Sequence, residues 1–146
     1  RLTAANTRIQ DKAIELGSKA PWIYFHLGSI AQRAMNYEGA LRYYEEAIAH
    51  NDQNPGLYIA CGDLHFKQNH FAPAINNYRQ AIALNPNAPR PYILLGDIRL
   101  AQKELGAAEE LYHQALELDS ESAAVRFKLG QLASRQKDTE RAIASY

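Results

Sequence analysis

Residues 55–88, PGLYIACGDLHFKQNHFAPAINNYRQAIALNPNA, and residues 89–122, PRPYILLGDIRLAQKELGAAEELYHQALELDSES, carry one pattern twice. Laid over each other they align Tyr58 with Tyr92, Gly62 with Gly96, Ala74 with Ala108, Tyr78 with Tyr112 and Ala81 with Ala115, each pair 34 residues apart. The register extends in both directions. Gly28 and Gly130, Ala40 and Ala142, and Tyr44 and Tyr146 continue the three main ladders, and Leu27, Cys61, Leu95 and Leu129 form another. A fixed period of this length marks a chain of stacked supersecondary units.

Within each repeat, positions 4, 7, 8 and 11 have the i, i+3, i+4, i+7 spacing of one helix face, which defines a helix A. Positions 17, 20, 24 and 27, in the first full repeat Tyr37, Ala40, Tyr44 and Ala47, define a helix B. A glycine inside a helix costs about 1 kcal/mol relative to alanine, so four in register imply that helices A and B approach closely there. Pro21, Pro55, Pro89 and Pro91 fall where an A helix begins, a position that needs no N–H. The A-to-B connections, Met35-Asn36, Asn69-His70 and Lys103-Glu104, are short, so successive helices pack antiparallel.

These ladders resemble the tetratricopeptide repeat (TPR) family, whose 34-residue unit has an aromatic, Leu-Gly, Ala, an aromatic, Ala and Pro in this order. The resemblance implies an all-α fold, an α-solenoid of antiparallel helix pairs wound as a right-handed superhelix. It implies a single array over 1–146, with 1–20 as the second helix of a preceding repeat. Full repeats follow at 21–54, 55–88 and 89–122, and 123–146 is a truncated repeat whose B helix stops at Tyr146. Arg126, Thr139, Asp52 and Ser120 depart from the family pattern. The start at Arg1 and the stop inside the pattern suggest a piece of a longer polypeptide.

Composition narrows the function classes. Sixteen basic and sixteen acidic side chains give zero formal charge, which argues against a nucleic-acid partner. No apolar run is long enough for membrane insertion. The compartment is left open, with the cytoplasm slightly favoured. Cys61 is the only cysteine, so multi-cysteine metal patterns are excluded, and it reads as a small buried hydrophobe. His65 and His70 are five apart and do not share a helix face. Glu45-Glu46 and Glu109-Glu110 read as a solvated outer face rather than paired acids. No catalytic motif, cofactor or metal is expected.

The resemblance also implies a groove lined by A helices, at positions 2, 5, 9, 12 and 13. Its candidate residues are Trp22, Phe25, Arg33, Ile59, Asp63, Phe66, Lys67, Arg90, Ile93, Asp97, Leu100, Phe127, Gln131 and Arg135. Position 5 is an apolar row that the ladder core leaves spare. The Lys, Asn and Arg clamp by which chaperone-binding members hold a terminal carboxylate is missing, and Asp63 and Asp97 would repel one. A peptide or protein segment with apolar anchors and one or two basic residues is therefore the expected partner. The function that follows is a non-catalytic protein-interaction scaffold. Its alternative is a recruiting or regulatory arm of a larger enzyme, for example a glycosyltransferase, whose catalytic domain lies outside these residues. Weak self-association through exposed repeat ends is a further expectation.

Overall fold

Three A helices of this protein are followed, two residues past their last, by a residue in the left-handed region: Met35 at φ 63°, Asn69 at φ 60° and Lys103 at φ 63°. All three occupy position 15 of their repeats. The computed structural model describes residue 8, residues 21–51 and residues 53–144. The expected helix over 1–20 thus lies outside the described residues apart from Arg8, which is helical and exposed.

Seven helices and no strand are found among the described residues. They are α1 (Pro21–Arg33), α2 (Tyr37–His50), α3 (Pro55–Lys67), α4 (Phe71–Leu84), α5 (Arg90–Ala101), α6 (Leu105–Leu118) and α7 (Ala123–Ala144). The three A-to-B turns are built alike. Asn36 N–H bonds the Ala31 carbonyl at 2.9 Å, His70 N–H that of His65 at 2.8 Å, and Glu104 N–H that of Arg99 at 2.9 Å. The residue before each makes the inner bond, from Met35 to Gln32, Asn69 to Phe66 and Lys103 to Leu100. These paired bonds satisfy carbonyls that the helix end would leave open and turn the chain back on itself. Asn36 then caps α2 by accepting from Gly39 N–H at 3.0 Å, and Asn54 caps α3 from Gly56 N–H at 3.0 Å.

The chain divides into two compact units between Leu84 and Asn85. In the first, Ala31, Ala40, Tyr44, Ala47, Leu57, Cys61 and Leu64 form one buried cluster, so α3 closes over the α1–α2 pair. Cys61 is buried, and burial pushes its thiol up to about 12. In the second unit Ala108, Tyr112, Ala115, Val125 and Leu132 join α6 to α7. Apart from the ladder tyrosines and Cys61, no described residue with a polar or charged side chain is fully buried.

The glycine ladder has a more specific cause than helix proximity alone. A Cβ on Gly28 would lie 2.5 Å from the Tyr44 ring, on Gly62 2.6 Å from Tyr78, and on Gly96 2.5 Å from Tyr112. In each pair the A-helix glycine is the bed for the tyrosine sixteen residues later, so the two ladders are one contact.

The fourth repeat departs from expectation. Residues 123–144 form one uninterrupted helix, so the B helix expected after Lys137 does not separate from its A helix. Among the described residues nothing lies within 4 Å of a Cβ built on Gly130. Thr139 stands where Tyr37, Phe71 and Leu105 begin the other B helices. A left-handed residue at 137 would be strained, and among the described residues no ring packs on Gly130 to offset that strain. Continued helix therefore wins.

Candidate functional site

A helices carry all the candidate residues, and the first unit holds the more open part. Trp22 is 64% exposed and Phe25 41%, against Ile23 and Leu27 buried on the opposite side of the same helix. With Asn51, Asn54 and Leu57 these two aromatics line a hollow of about 380 Å³. Sequence reading missed Asn51 and Asn54 because they sit in the connection between α2 and α3, outside the A-helix register. Their turn chemistry was the available signal: the Oδ1 atoms accept from Gln53 N–H and Gly56 N–H. With Oδ1 so used, the amide NH2 groups are the donors these two side chains have left.

Phe66 meets the Phe71 ring edge-on at 6.0 Å, and the Lys67 ammonium lies 5.9 Å from the centre of the Tyr37 ring. Phe66 is thus engaged across the α3–α4 turn and Lys67 against the start of α2, while Arg33 is exposed at the end of α1. Position 9 has a structural duty that the sequence did not reveal. Tyr44 donates to Gln32 Oε1 at 2.9 Å, with Ser29 Oγ 3.5 Å away; Tyr78 donates to Asp63 at 2.6 Å, and Tyr112 to Asp97 at 2.7 Å. In the second and third repeats the tyrosine packed on glycine carries its hydroxyl to the next residue of helix A, which accepts, whereas in the first repeat the acceptor is Gln32, four residues beyond Gly28.

Asp97 has a second partner. The Lys128 ammonium is 2.8 Å from the same Oδ1 and 5.9 Å from the centre of the Tyr112 ring. Burial, the bond to Asp97 and the charge of Asp97 raise the Tyr112 phenol above its ordinary value, opposed by the charge of Arg135. The premise that Asp97 awaits a basic ligand residue is therefore corrected: a lysine of this chain already faces it.

The apolar row at position 5 is also uneven. Phe25 and Phe127, 66% exposed, are open, whereas Ile59 is half-buried and Ile93 packs on the core of the second unit, as does Leu100. Ile93 is consequently part of the fold rather than spare. Arg90, Gln131 and Arg135 are exposed.

Two other expectations change. The His65 and His70 rings lie 6.1 Å apart, because the left-handed turn at Asn69 folds His70 back toward the helix end. His65 Nδ1 is buried without a hydrogen-bond partner, and burial followed by His70 lowers its pKa, against an opposing effect of Glu45. Glu109 is only half-exposed and accepts from Gln136 at 3.2 Å, unlike the exposed Glu45, Glu46 and Glu110. Among the described residues no three His, Cys, Asp or Glu side chains converge as metal ligands, and no helix is long and apolar enough to cross a membrane.

Profiles described as tetratricopeptide repeat match residues 23–56 and 94–146, and one described as TPR repeat matches 62–103. The chain belongs to the tetratricopeptide repeat family. Solved structures, TPR domains among them, share its fold. MamA 41-end from Desulfovibrio magneticus RS-1 superposes with a TM-score of 0.80 at 19% identity, covering 98% of this chain and 80% of that one. The first TPR of Spaghetti (RPAP3), solved bound to the HSP90 peptide SRMEEVD, gives 0.74 at 22% identity, covering 82% and 95%. The first TPR domain of human RPAP3 gives 0.73 at 22%, covering 83% and 95%. A comparison with curated proteins gives no significant match. TPR domains are generally interaction modules rather than catalysts, which supports the same broad role for this TPR chain.

Proposed function

We propose that this TPR chain is a protein-interaction scaffold that holds a peptide or protein segment against the exposed side of its A helices. The observation that carries the reading is the hollow of about 380 Å³ between Trp22, Phe25 and Leu57, rimmed by Asn51 and Asn54. Two large aromatics held open on a rigid helix, beside amide donors, suit an apolar anchor whose neighbouring backbone needs hydrogen-bond partners. That one TPR neighbour was solved with a bound peptide supports the class of ligand, though its likeness to this chain is one of fold. Such sites concentrate their affinity in a few aromatic contacts.

The test is to select peptides from a random library on the purified chain and map a selected one by amide chemical shifts. Shifts at Trp22, Phe25 and Leu57, and at least tenfold weaker binding by the Trp22→Ala, Phe25→Ala double variant, are the expected result. Shifts gathered instead on the outer face, at Glu45, Glu46 and Glu110, would remove the assignment.

A further inference from the structure

The second unit reverses the charge preference that the sequence suggests. Asp97 accepts from Tyr112 at 2.7 Å and from Lys128 at 2.8 Å, so the one acid of α5 is met by a cation of its own chain. Along α7, Phe127, Gln131 and Arg135 recur every four residues, all exposed, and so share one helix face. Arg135 lies near enough to the Tyr112–Asp97 pair to bear on the Tyr112 hydroxyl electrostatically. No carboxylate of the described residues forms an ion pair with it. Residues 123–144 hold five Lys or Arg against two acids, so the helix as a whole is cationic.

We propose that this face of α7 binds an acidic peptide segment, with a side-chain carboxylate at Arg135 and an apolar side chain on Phe127. The inference rests on the scaffold reading and specifies the partner's chemistry. Arginine presents a planar fork of donors that matches a carboxylate, and Gln131 between the two anchors offers an amide to the ligand backbone. Helical rise sets Phe127 and Arg135 about 12 Å apart along the axis. An extended ligand covers that distance in about four residues, at roughly 3.3 Å each. A basic segment, by contrast, would meet Lys128 and Arg135 with Asp97 already occupied.

The experiment compares two fluorescent, C-terminally amidated peptides, which carry no terminal carboxylate. One has a leucine followed four residues later by a pair of glutamates in a Gly/Ser frame, and the other has lysines in place of the glutamates. In fluorescence anisotropy the glutamate peptide should bind at least tenfold more tightly and weaken as salt rises. Arg135→Glu should reverse the order of the two peptides, and Phe127→Ala should weaken both several-fold, with unchanged far-ultraviolet circular dichroism. Tighter binding of the lysine peptide by the unaltered chain would overturn the inference yet leave the scaffold reading standing. Binding of neither peptide, while library-selected peptides still shift Trp22 and Phe25, would overturn it equally and spare that reading.

Discussion

A tyrosine lying on a glycine sixteen residues earlier is the contact on which each complete repeat turns, and it makes the repeats' glycines unequal. At Gly62 a methyl group would sit 2.6 Å from a ring carbon of Tyr78, so either the ring or the helix must move. At Gly130 no described residue lies within 4 Å of such a group. Alanine is worth up to about 1 kcal/mol over glycine inside a helix, while overpacking costs about 1–3 kcal/mol. Gly62→Ala should therefore lower stability by up to about 2 kcal/mol and Gly130→Ala raise it by up to about 1 kcal/mol, as read by urea denaturation. Equal effects of the two would refute the ring-on-glycine account. The hydroxyl end of the same contact gives a second test. Tyr112→Phe leaves the ring in place but removes a bond to a charged acceptor, Asp97 at 2.7 Å. Such bonds contribute about 1.5–3 kcal/mol, and the remaining partner Lys128 lessens the loss, so a cost of about 1–2 kcal/mol is expected.

At the scale of the helix, sequence and structure part company at one place. The pattern foretold each complete A/B pair, because Gly, Ala and Tyr ladders report packing that is present in every copy. It foretold a B helix after Lys137 as well, because Ala142 and Tyr146 keep the register. A register records what a segment can pack against, not whether the contact forms, and α7 runs on through Ala144. The turn residue makes this difference measurable. Lys103 is left-handed at φ 63°, a conformation that costs side-chain-bearing residues about 1–2 kcal/mol and glycine none. Lys137, its counterpart one repeat later, is helical. Lys103→Gly should thus stabilise the chain by up to about 1 kcal/mol, whereas Lys137→Gly should lower the helicity of α7, glycine being about 1 kcal/mol worse than lysine-like residues there. If Lys137→Gly were also stabilising, α7 would be a broken pair rather than one helix.

Across the whole chain, the fold was legible in the sequence to the level of individual helix pairs, while the candidate site was legible only in part. The exposure of Trp22, Phe25, Phe127 and Arg135 could be read from family positions because an A-helix register fixes which side they face. Asp97 and Ile93 were misjudged because the same register says nothing of what reaches them from another helix: a tyrosine hydroxyl, a lysine one repeat later, a core formed by α6 and α7. Buried titratable groups were equally invisible, and they set how stability varies with pH. His65 has its pKa lowered by burial and by His70, with Glu45 opposing. Its unfolded counterpart therefore takes up a proton first as pH falls. The stability linked to it is complete above about 6.5, the ordinary histidine value, and is lost as pH drops through the lowered folded value. At the alkaline end Cys61, pushed up to about 12, and Tyr44 and Tyr112, both raised mainly by burial, act in the opposite sense. Their contribution is complete below the unfolded values of about 8.5 for the thiol and 10 for the phenols, and is lost as pH climbs through the folded ones. Stability should accordingly form a plateau between about pH 6.5 and 8.5. The acid flank has a single address, since His65 belongs to the first unit, whereas the alkaline flank is shared between Cys61 and Tyr44 in the first unit and Tyr112 in the second. Hydrogen exchange at pH 5.5 and 7.5, corrected for intrinsic rates, should show α3 and α4 losing more protection on acidification than α5 and α6. His65→Leu should flatten that acid response without shifting the alkaline one. An acid flank that persists unchanged in His65→Leu would assign it to the carboxylates instead.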